Sequence, residues 1–325
     1  MLERKIQIGN RTLNNRLVMA PTDLQLSNHG TVTERLLDYY DSRTQGGYVG
    51  LCVIEHSCVQ ESGRASRNQL SCNKEDDIAG LTELAKTIHK NNTIAIMQLS
   101  HAGAAIPVDV VHTEGQSPSG IMTHYGCQRT HAMSQAEIEQ LIEDFTVSAV
   151  RVKKAGFDGL ELHSAHGYLL SQFYSPLTNR RTDAYSGQTL EGRLKLHLRL
   201  IEAVRKVLGS DMILGIRFGA CDYMDGGSTI PEAGRAAEML QAAGAHFIGV
   251  SGGMCGAALP ENSEAGYFGD ASECVKAHVS IPVILTGGIR TREDAERLLA
   301  EGKADLIGAA RPFMRDATWA SKIMR

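Results

Sequence analysis

Short apolar runs, many of them rich in β-branched residues, alternate along this chain with amphipathic stretches. Short apolar runs between turn residues are typical of buried strands, and apolar positions that recur every three to four residues are typical of helices. The predicted strands are 17–20, 49–54, 94–98, 159–163, 213–217, 247–250, 282–286 and 305–308. The predicted helices are 34–45, 76–90, 135–155, 191–208, 231–243, 269–277 and 292–301.

This alternation predicts successive βα units around a parallel sheet. Eight strands with helical crossovers suit a closed (β/α)8 barrel, the TIM barrel, and 325 residues are enough for one such domain over residues 1–325. An open doubly wound sheet is the alternative fold, but no Gly-x-Gly-x-x-Gly turn follows any predicted strand. We therefore favour the α/β barrel.

Two segments fall outside the repeating units. Residues 6–10 are interpreted as part of a small hairpin that plugs the bottom of the barrel. The stretch from Gly103 to Met133, after the third strand, carries glycines, prolines and histidines without a clear period. Because it is too long for an ordinary connection, we expect an extended lid over the barrel mouth.

Composition and charge restrict the partners. Apolar residues make up 42% of the chain and charged residues 22%, which is typical of globular proteins that fold without disulfides or metal. The formal net charge is −4, and no block of like charges offers a surface to nucleic acid or to an anionic membrane. No signal-peptide core and no long apolar run is found. We expect a cytoplasmic protein that acts on a small molecule.

Polar residues end the second to fifth predicted strands. They are Glu55, Gln98, His163 and Arg217. The carboxyl ends of the strands form the active-site floor of a barrel of this kind. One polar residue at a strand end can simply be solvated, but four in consecutive strands favour a functional site.

The segment from Leu160 to Tyr168 places His163, His166 and Tyr168 at the end of the fourth strand. Two neutral imidazoles can donate hydrogen bonds to one substrate oxygen, and a tyrosine stays protonated at neutral pH and can donate a proton. A metal site and a purely structural histidine pair are the alternatives. A metal would need a further ligand, the chain has no His-Glu-x-x-His, and its seven cysteines form no Cys-x-x-Cys pair, so no metal is expected.

Small residues follow the last two strands. Gly287 and Gly288 come after the seventh strand, and Ala310 and Arg311 come after the eighth. Small residues allow backbone N–H groups to approach a phosphate, and barrels often bind phosphate at these two loops. These residues are therefore candidates for a phosphate site.

Together these motifs resemble the Old Yellow Enzyme family of FMN-dependent NAD(P)H oxidoreductases, or ene-reductases, over almost the whole chain. The resemblance rests on residues 13–21, 98–103, 163–168 and 175–185. It implies noncovalently bound FMN, NADH or NADPH as the reductant, and a small electron acceptor such as an α,β-unsaturated carbonyl or nitro compound. It is compatible with a homo-oligomer.

The resemblance also implies roles for individual residues. His163 and His166 would hold the acceptor's oxygen, and Tyr168 would protonate its α-carbon. The implied cofactor-binding residues are Ala20, Pro21, Thr22, Asp23, Gln98, Arg217, Gly287, Gly288, Ala310 and Arg311. Among these, Gln98 and Arg217 would face the flavin's pyrimidine ring, where a cation favours the reduced state.

This chain departs from the family pattern at several positions. Asp23 replaces a small hydroxyl or thiol residue, and an ionised carboxylate there should make flavin reduction harder. Gln25 stands where one bacterial branch has a tyrosine that contacts the substrate. No cysteine-rich iron-sulfur segment like that of the dienoyl-CoA reductase relatives follows the eighth strand, so the resemblance favours simpler ene-reductases.

Two other functions remain open. A non-redox barrel, such as an isomerase or aldolase of a phosphorylated substrate, would need a lysine or carboxylate at a strand end, and Glu55 is one candidate. A flavin-binding protein without turnover would lack the proton donor or the histidine pair, and this chain has all three residues.

Overall fold

The structure, a computed structural model, describes residues 1–107, 109–111, 113–123, 129–259 and 261–325. The strands in these ranges are β1 (Ile6–Ile8), β2 (Arg11–Leu13), β3 (Leu17–Met19), β4 (Leu51–Cys58), β5 (Ile94–Ser100), β6 (Gly115–Ser117), β7 (Thr130–Ala132), β8 (Gly159–Ser164), β9 (Ile213–Cys221), β10 (Phe247–Gly252), β11 (Val283–Thr286) and β12 (Leu306–Ala309). The helices are α1 (Glu34–Thr44), α2 (Asp77–His89), α3 (Gln135–Lys154), α4 (Leu169–Tyr174), α5 (Leu190–Leu208), α6 (Ile230–Ala242), α7 (Gly269–His278), α8 (Arg292–Ala300), α9 (Arg311–Arg315) and α10 (Trp319–Met324).

The strands β3, β4, β5, β8, β9, β10, β11 and β12 form a closed parallel barrel in this order. Each strand pairs with the next one along the chain, and β12 pairs with β3 to close the ring. Helices connect most of these strands, as parallel neighbours require. The predicted (β/α)8 barrel is therefore confirmed, and the open sheet is excluded.

The bottom of the barrel is closed by apolar side chains. Strands β1 and β2 pair as an antiparallel hairpin, as predicted. One buried cluster joins Ile8 and Leu13 of this hairpin to residues of the barrel strands: Val18, Leu51, Val53, Ile96, Ile213, Phe247, Ile284 and Leu306. Burial of each large apolar side chain stabilises the fold by about 1.5–3 kcal/mol. The plug therefore leaves the opposite end of the barrel as the accessible one.

Helices begin where the sequence carries capping residues. Thr33 accepts a hydrogen bond from the Leu36 N–H at the start of α1. Ser134 and Glu137 form a reciprocal capping box at the start of α3. A cap of this kind stabilises a helix by about 1 kcal/mol. Most of the remaining core lies between the barrel and the surrounding helices.

Several strands extend beyond their predicted ends. The predicted strands 49–54, 94–98 and 213–217 continue to Cys58, Ser100 and Cys221. Gln98 and Arg217 consequently lie inside strands and not at their ends. The apolar run stops at these positions, but the backbone pairing continues, with Gln98 beside Glu161 and His163 beside Arg217.

The segment from Gly103 to Met133, predicted as a lid, contains the short strands β6 and β7, which pair with each other. Residues 108, 112 and 124–128 of this prediction lie outside the described residues. Backbone groups of Pro118 and Met133 accept hydrogen bonds from Arg181, which ties the segment to the loop after α4. Its described residues do not line the cavity at the barrel mouth.

In the described part of the chain, no helix has the length and apolar character needed to span a bilayer.

Candidate active site

A cavity of about 600 Å³ opens at the carboxyl ends of the barrel strands. Twelve of the thirteen predicted site residues line it: Pro21, Thr22, Asp23, Gln98, His163, His166, Tyr168, Arg217, Gly287, Gly288, Ala310 and Arg311. Ala20 does not line it. The Ala20 N–H instead donates to the Ala309 carbonyl, 2.8 Å away, and continues the pairing of β3 with β12. Residues far apart in sequence thus meet in one cavity.

Glu55 does not reach this cavity, contrary to the predicted floor of four polar strand ends. The pairing of β4 with β5 shifts between Ile54 and His56, so Glu55 is an extra residue at a bulge. A bulge breaks the alternation of side chains along a strand. His56 therefore takes the position beside Gln98 and lines the cavity in place of Glu55.

The displaced Glu55 carboxyl is fully buried, and neither oxygen has a hydrogen-bond partner among the described residues. Burial, with a smaller contribution from the charge of Asp23, raises the pKa of Glu55 well above its usual range. Glu55 is therefore a neutral acid outside the cavity and has no access to a ligand there.

One end of the cavity, here called the aromatic end, consists of His56, His163, His166 and Tyr168. The ring centroids of His163 and Tyr168 lie 5.0 Å apart in an edge-on arrangement, and those of His163 and His166 lie 5.1 Å apart. The His56 ring stacks on Tyr168 at 5.4 Å. Three imidazoles and one phenol therefore surround the same space.

The chain reaches this arrangement through a tight turn after β8. His166 has a φ of +60° and Gly167 a φ of +74°, so both residues adopt left-handed backbone. For a non-glycine residue this conformation is unusual and costs of order 1 kcal/mol or more. It brings Tyr168 back toward the cavity as the residue that precedes α4.

Burial favours the uncharged forms of His163, His166 and Tyr168. It lowers the pKa of His163 and of His166 well below the usual value, because an imidazolium would lose its hydration there, and the positive charge of Arg217 adds to this effect. Burial also raises the pKa of Tyr168 to about 12. At neutral pH the two imidazoles are therefore neutral and the phenol is protonated.

Arg217 links the aromatic end to the middle of the cavity. Its Nη2 donates to Ser251 Oγ at 3.2 Å, and the same Oγ lies 2.8 Å from His166 Nε2. Its Nη1 donates to Thr286 Oγ1 at 3.4 Å. Its Nε is buried with no partner among the residues described, so this cation retains a donor for a ligand.

Gln98 is oriented by the acid beneath it. Its Nε2 donates to Glu161 Oε1 at 2.6 Å, which leaves the Gln98 Oε1 as the group available to the cavity. Burial raises the pKa of Glu161 to about 7, although the Arg217 charge and the Gln98 hydrogen bond act in the opposite direction. Sequence analysis did not single out Glu161, because a charged residue within a strand has no distinctive spacing.

The opposite end of the cavity, here called the glycine end, consists of Gly287, Gly288, Ala310 and Arg311. Gly288 has a φ of +68°, and a Cβ there would lie 2.4 Å from the Glu264 carbonyl oxygen. Gly287 has a φ of +150°. A side chain at either position would collide with neighbouring protein atoms, so glycine is required at both. The two glycines line the cavity, and the Arg311 guanidinium adds a positive charge at the same end.

The cavity also contains residues that sequence analysis did not identify. His56, Tyr267, Thr286, Arg290, Arg315 and Trp319 are among the lining residues. Trp319 belongs to α10, which was not predicted, and it is the single tryptophan of the chain. Because a single tryptophan is rare in a chain of this length, Trp319 could have been singled out from the sequence as a candidate site residue. Gln25, by contrast, does not line the cavity and bonds Asp23 through its side chain.

Comparison with known proteins agrees with this geometry. Residues 3–325 match the NADH:flavin oxidoreductase / NADH oxidase family. An NADH oxidase of Thermoanaerobacter brockii is 38% identical over 97% of this chain, and an NADPH dehydrogenase of Halalkalibacterium halodurans is 36% identical over 95%. The chain covers 89% of the NADPH dehydrogenase but spans about half (49%) of the NADH oxidase.

Solved structures show the same barrel. A 2-naphthoyl-CoA reductase complex superposes with a TM-score of 0.90 and 25% identity over 99% of this chain and 52% of that protein. A morphinone reductase in complex with tetrahydroNAD superposes with a TM-score of 0.86 and 23% identity, over 99% of this chain and 90% of that one. The predicted resemblance is thereby confirmed: the chain belongs to the NADH:flavin oxidoreductase / NADH oxidase family, whose members use FMN with NAD(P)H as the reductant.

Proposed function

We propose that this chain reduces alkenes activated by a carbonyl or nitro group, with NADH or NADPH as the reductant. The observation that carries the proposal is the placement of Tyr168 next to His163 and His166 in the aromatic end of the cavity. In this proposal His163 and His166 hold the acceptor's oxygen and Tyr168 supplies a proton.

The residues of the cavity fit FMN. The volume of the cavity, about 600 Å³, lies within the usual range of cofactor and ligand pockets. Arg217 Nε is a buried donor without a partner in the described structure, and Gln98 offers a free carbonyl oxygen, so the two suit the polar edge of a flavin. Gly287, Gly288, Ala310 and Arg311 would hold the phosphate at the glycine end.

When bound, FMN supplies the hydride carrier between the nicotinamide and the acceptor. The protein must then stabilise the negative charge that develops on the acceptor's oxygen as the hydride arrives. Neutral N–H donors in a water-poor site do this well, because they need little reorganisation. The lowered pKa values of His163 and His166 maintain them as such donors.

The proton must reach the carbon next to the polarising group. Tyr168 is protonated throughout the physiological range, since burial raises its pKa to about 12. It lies in edge-on contact with His163, so it is close to any oxygen that His163 holds. A positioned acid of this kind typically accelerates a proton transfer by about 10² to 10⁴.

The geometry does not favour the two other functions. Glu55, the carboxylate considered for an isomerase or aldolase, is buried behind the cavity, and Gln98, Arg217 and Tyr168 would have no evident role in such an enzyme. A flavin-binding protein without turnover would have no use for a protonated phenol beside two neutral imidazoles. Both functions remain outcomes of the test below.

The test separates the two halves of the reaction in a Tyr168→Phe variant. Anaerobic bleaching of the flavin absorbance by NADH or NADPH should stay close to the unsubstituted rate, because Tyr168 is not needed to receive a hydride. Reoxidation of the reduced protein by cyclohexenone should slow by about a hundredfold or more. Stopped-flow absorbance measures both rates.

Tyr48→Phe is the matched control, since Tyr48 also loses a hydroxyl but lies outside the cavity. Reoxidation by cyclohexenone at the unsubstituted rate in Tyr168→Phe would remove the proposed proton donor. A protein that takes up FMN and a hydride but reduces neither enones nor nitroalkenes would contradict the proposed function itself.

A further inference from the structure

His56 contributes a polar group to the aromatic end that the proposed function does not use. Its ring stacks on Tyr168 and meets His163 edge-on at 5.9 Å, so it borders the space assigned to the acceptor. The imidazole is almost fully buried, with 7% of its side chain exposed, and that part faces the cavity.

Gln69 determines which ring nitrogen of His56 carries the proton. The Gln69 Oε1 accepts from the Ala65 N–H at 2.7 Å, which fixes the orientation of the amide. Its Nε2 then donates to His56 Nδ1 at 2.8 Å and to the His56 carbonyl at 3.2 Å. Nδ1 is therefore an acceptor, and the proton of the neutral ring is on Nε2.

His56 Nε2 is near the Asp23 carboxylate, but the two groups do not form a hydrogen bond. His56 Nε2 lies 3.8 Å from Asp23 Oδ2, beyond hydrogen-bond range. Burial opposes ionisation of Asp23, but the polar contacts from His56, Ser66 and Gln25 outweigh it, and the pKa of Asp23 lies below its ordinary value. His56 Nε2 and the Asp23 carboxylate thus border the same gap, and both residues line the cavity.

We propose that Asp23 and His56 form a subsite for a hydroxyl group on the acceptor. A single oxygen in the gap can lie within hydrogen-bond distance of both atoms: the hydroxyl proton is donated to Asp23 Oδ2, and the hydroxyl oxygen accepts from His56 Nε2–H. This subsite rests on the proposed function, because it concerns the acceptor bound in the same cavity.

The same pair discriminates between polar groups. A carbonyl can accept from His56 but donates nothing to Asp23 and places its own oxygen beside that carboxylate, and a carboxylate is repelled by Asp23 at short range. A hydroxyl uses both residues. Two such hydrogen bonds, one of them to a charged group, make a ring-hydroxylated enone bind about tenfold more tightly than its parent.

The test measures binding to the oxidised, FMN-loaded full chain without reductant, from ligand-induced changes in flavin absorbance. The probes are cyclohexenone, its ring-hydroxylated isomers and a carboxylate-bearing counterpart. We expect at least one hydroxylated isomer to bind about tenfold more tightly than cyclohexenone, and the carboxylate to bind more weakly than cyclohexenone.

Variants identify the residues responsible. His56→Phe preserves the ring stack on Tyr168 but should remove the preference for the hydroxylated isomer. Gln69→Leu should reduce it, because His56 is then free to place its proton on Nδ1. In Gln69→Glu the carboxylate accepts from Nδ1–H and leaves His56 cationic, so discrimination against the carboxylate probe should fall. His278→Phe, an exposed histidine outside the cavity, is the control.

Equal affinity for cyclohexenone and all its hydroxylated isomers would overturn the proposal, as would a preference that survives both His56→Phe and Gln69→Leu. A His56→Phe variant that alters flavin absorbance and reduction potential but not ligand preference would assign the pair to the cofactor and also overturn it. Failure of the proposed function is a separate result. In that case, reduced protein does not turn over cyclohexenone, yet the binding preference still depends on His56.

Discussion

The two ends of the cavity present different kinds of surface to a ligand. The aromatic end presents side chains whose protonation depends on burial: His163 and His166 stay neutral, and Tyr168 stays protonated. The glycine end presents Gly287 and Gly288, which have no side chains of their own, together with the exposed Arg311. Under the proposed function, we expect chemistry at the aromatic end to depend on single atoms, and binding at the glycine end to depend on space and charge.

This difference predicts how each end responds to substitution. At the glycine end an added methyl group should be more harmful than a change of charged side chain, because the backbone itself is the binding surface. At the aromatic end the removal of one oxygen or nitrogen should matter more than a change in volume. Substitutions at the two ends test this difference.

The largest effect at the glycine end is expected from Gly288→Ala. The new Cβ would lie 2.4 Å from the Glu264 carbonyl oxygen, at a φ of +68° that alanine adopts only with strain. The loop must shift, so we expect the dissociation constant for FMN to rise about a hundredfold. Quenching of FMN fluorescence on binding to the apoprotein measures it.

Gly302→Ala is the matched control for that substitution. Gly302 also has a positive φ, +75°, but its Cβ would meet no atom within 4 Å. We expect a loss of about 1 kcal/mol in the free energy of unfolding and an unchanged FMN affinity. Normal FMN affinity in Gly288→Ala would show that the glycines are not a binding surface.

Much of the fold could be predicted because it depends on local patterns. Apolar runs located the eight barrel strands. Glycine-rich turns are common, but those at the glycine end stood out because they follow the last two strands, where barrels often bind phosphate. The face of a strand on which a given side chain lies was harder to predict. Glu55 and His56 are adjacent in sequence, and the bulge that turns one inward and the other outward results from pairing with β5, which local sequence does not encode.

The buried polar partners of the cavity residues could not be predicted from the sequence either. Glu161 carries no motif, and its contact with Gln98 exists because β5 and β8 are neighbours in the barrel. The same holds for Gln69, whose hydrogen bond to His56 connects a loop to β4. Sequence patterns therefore predict which residues react, but the groups that set their orientation and protonation depend on tertiary packing.

An intermediate effect on stability is expected at Glu161. It tests whether burial controls the charge of the acid beneath Gln98. Burial raises its pKa to about 7 from the ordinary value near 4.5, so ionisation opposes folding. The contribution of the neutral Glu161 to the free energy of unfolding is fully present below about pH 4.5 and is lost as the pH rises through 7. Between pH 5.5 and pH 8 this loss should be about 2 kcal/mol.

Glu161→Gln cannot ionise and places an uncharged amide at the same position, so its free energy of unfolding should not show this loss with rising pH. Urea unfolding of both proteins at pH 5.5 and pH 8, with FMN in excess, gives the difference directly. Other titrating groups cancel because they are common to the two proteins. Parallel profiles would mean that Glu161 ionises freely and that burial does not determine charge in this part of the cavity.

The smallest effect is expected from Arg311→Lys at the glycine end. Arg311 is exposed and donates to the Tyr267 hydroxyl at 3.1 Å, so lysine would retain the positive charge but lose the forked guanidinium geometry. We expect the dissociation constant for FMN to rise about fivefold, because solvent screens an exposed charge and the backbone still holds the phosphate. The same fluorescence titration measures it, with Arg297→Lys, outside the cavity, as the control. An effect as large as that of Gly288→Ala would invert the comparison, since a single side chain would then contribute as much to binding as the open backbone.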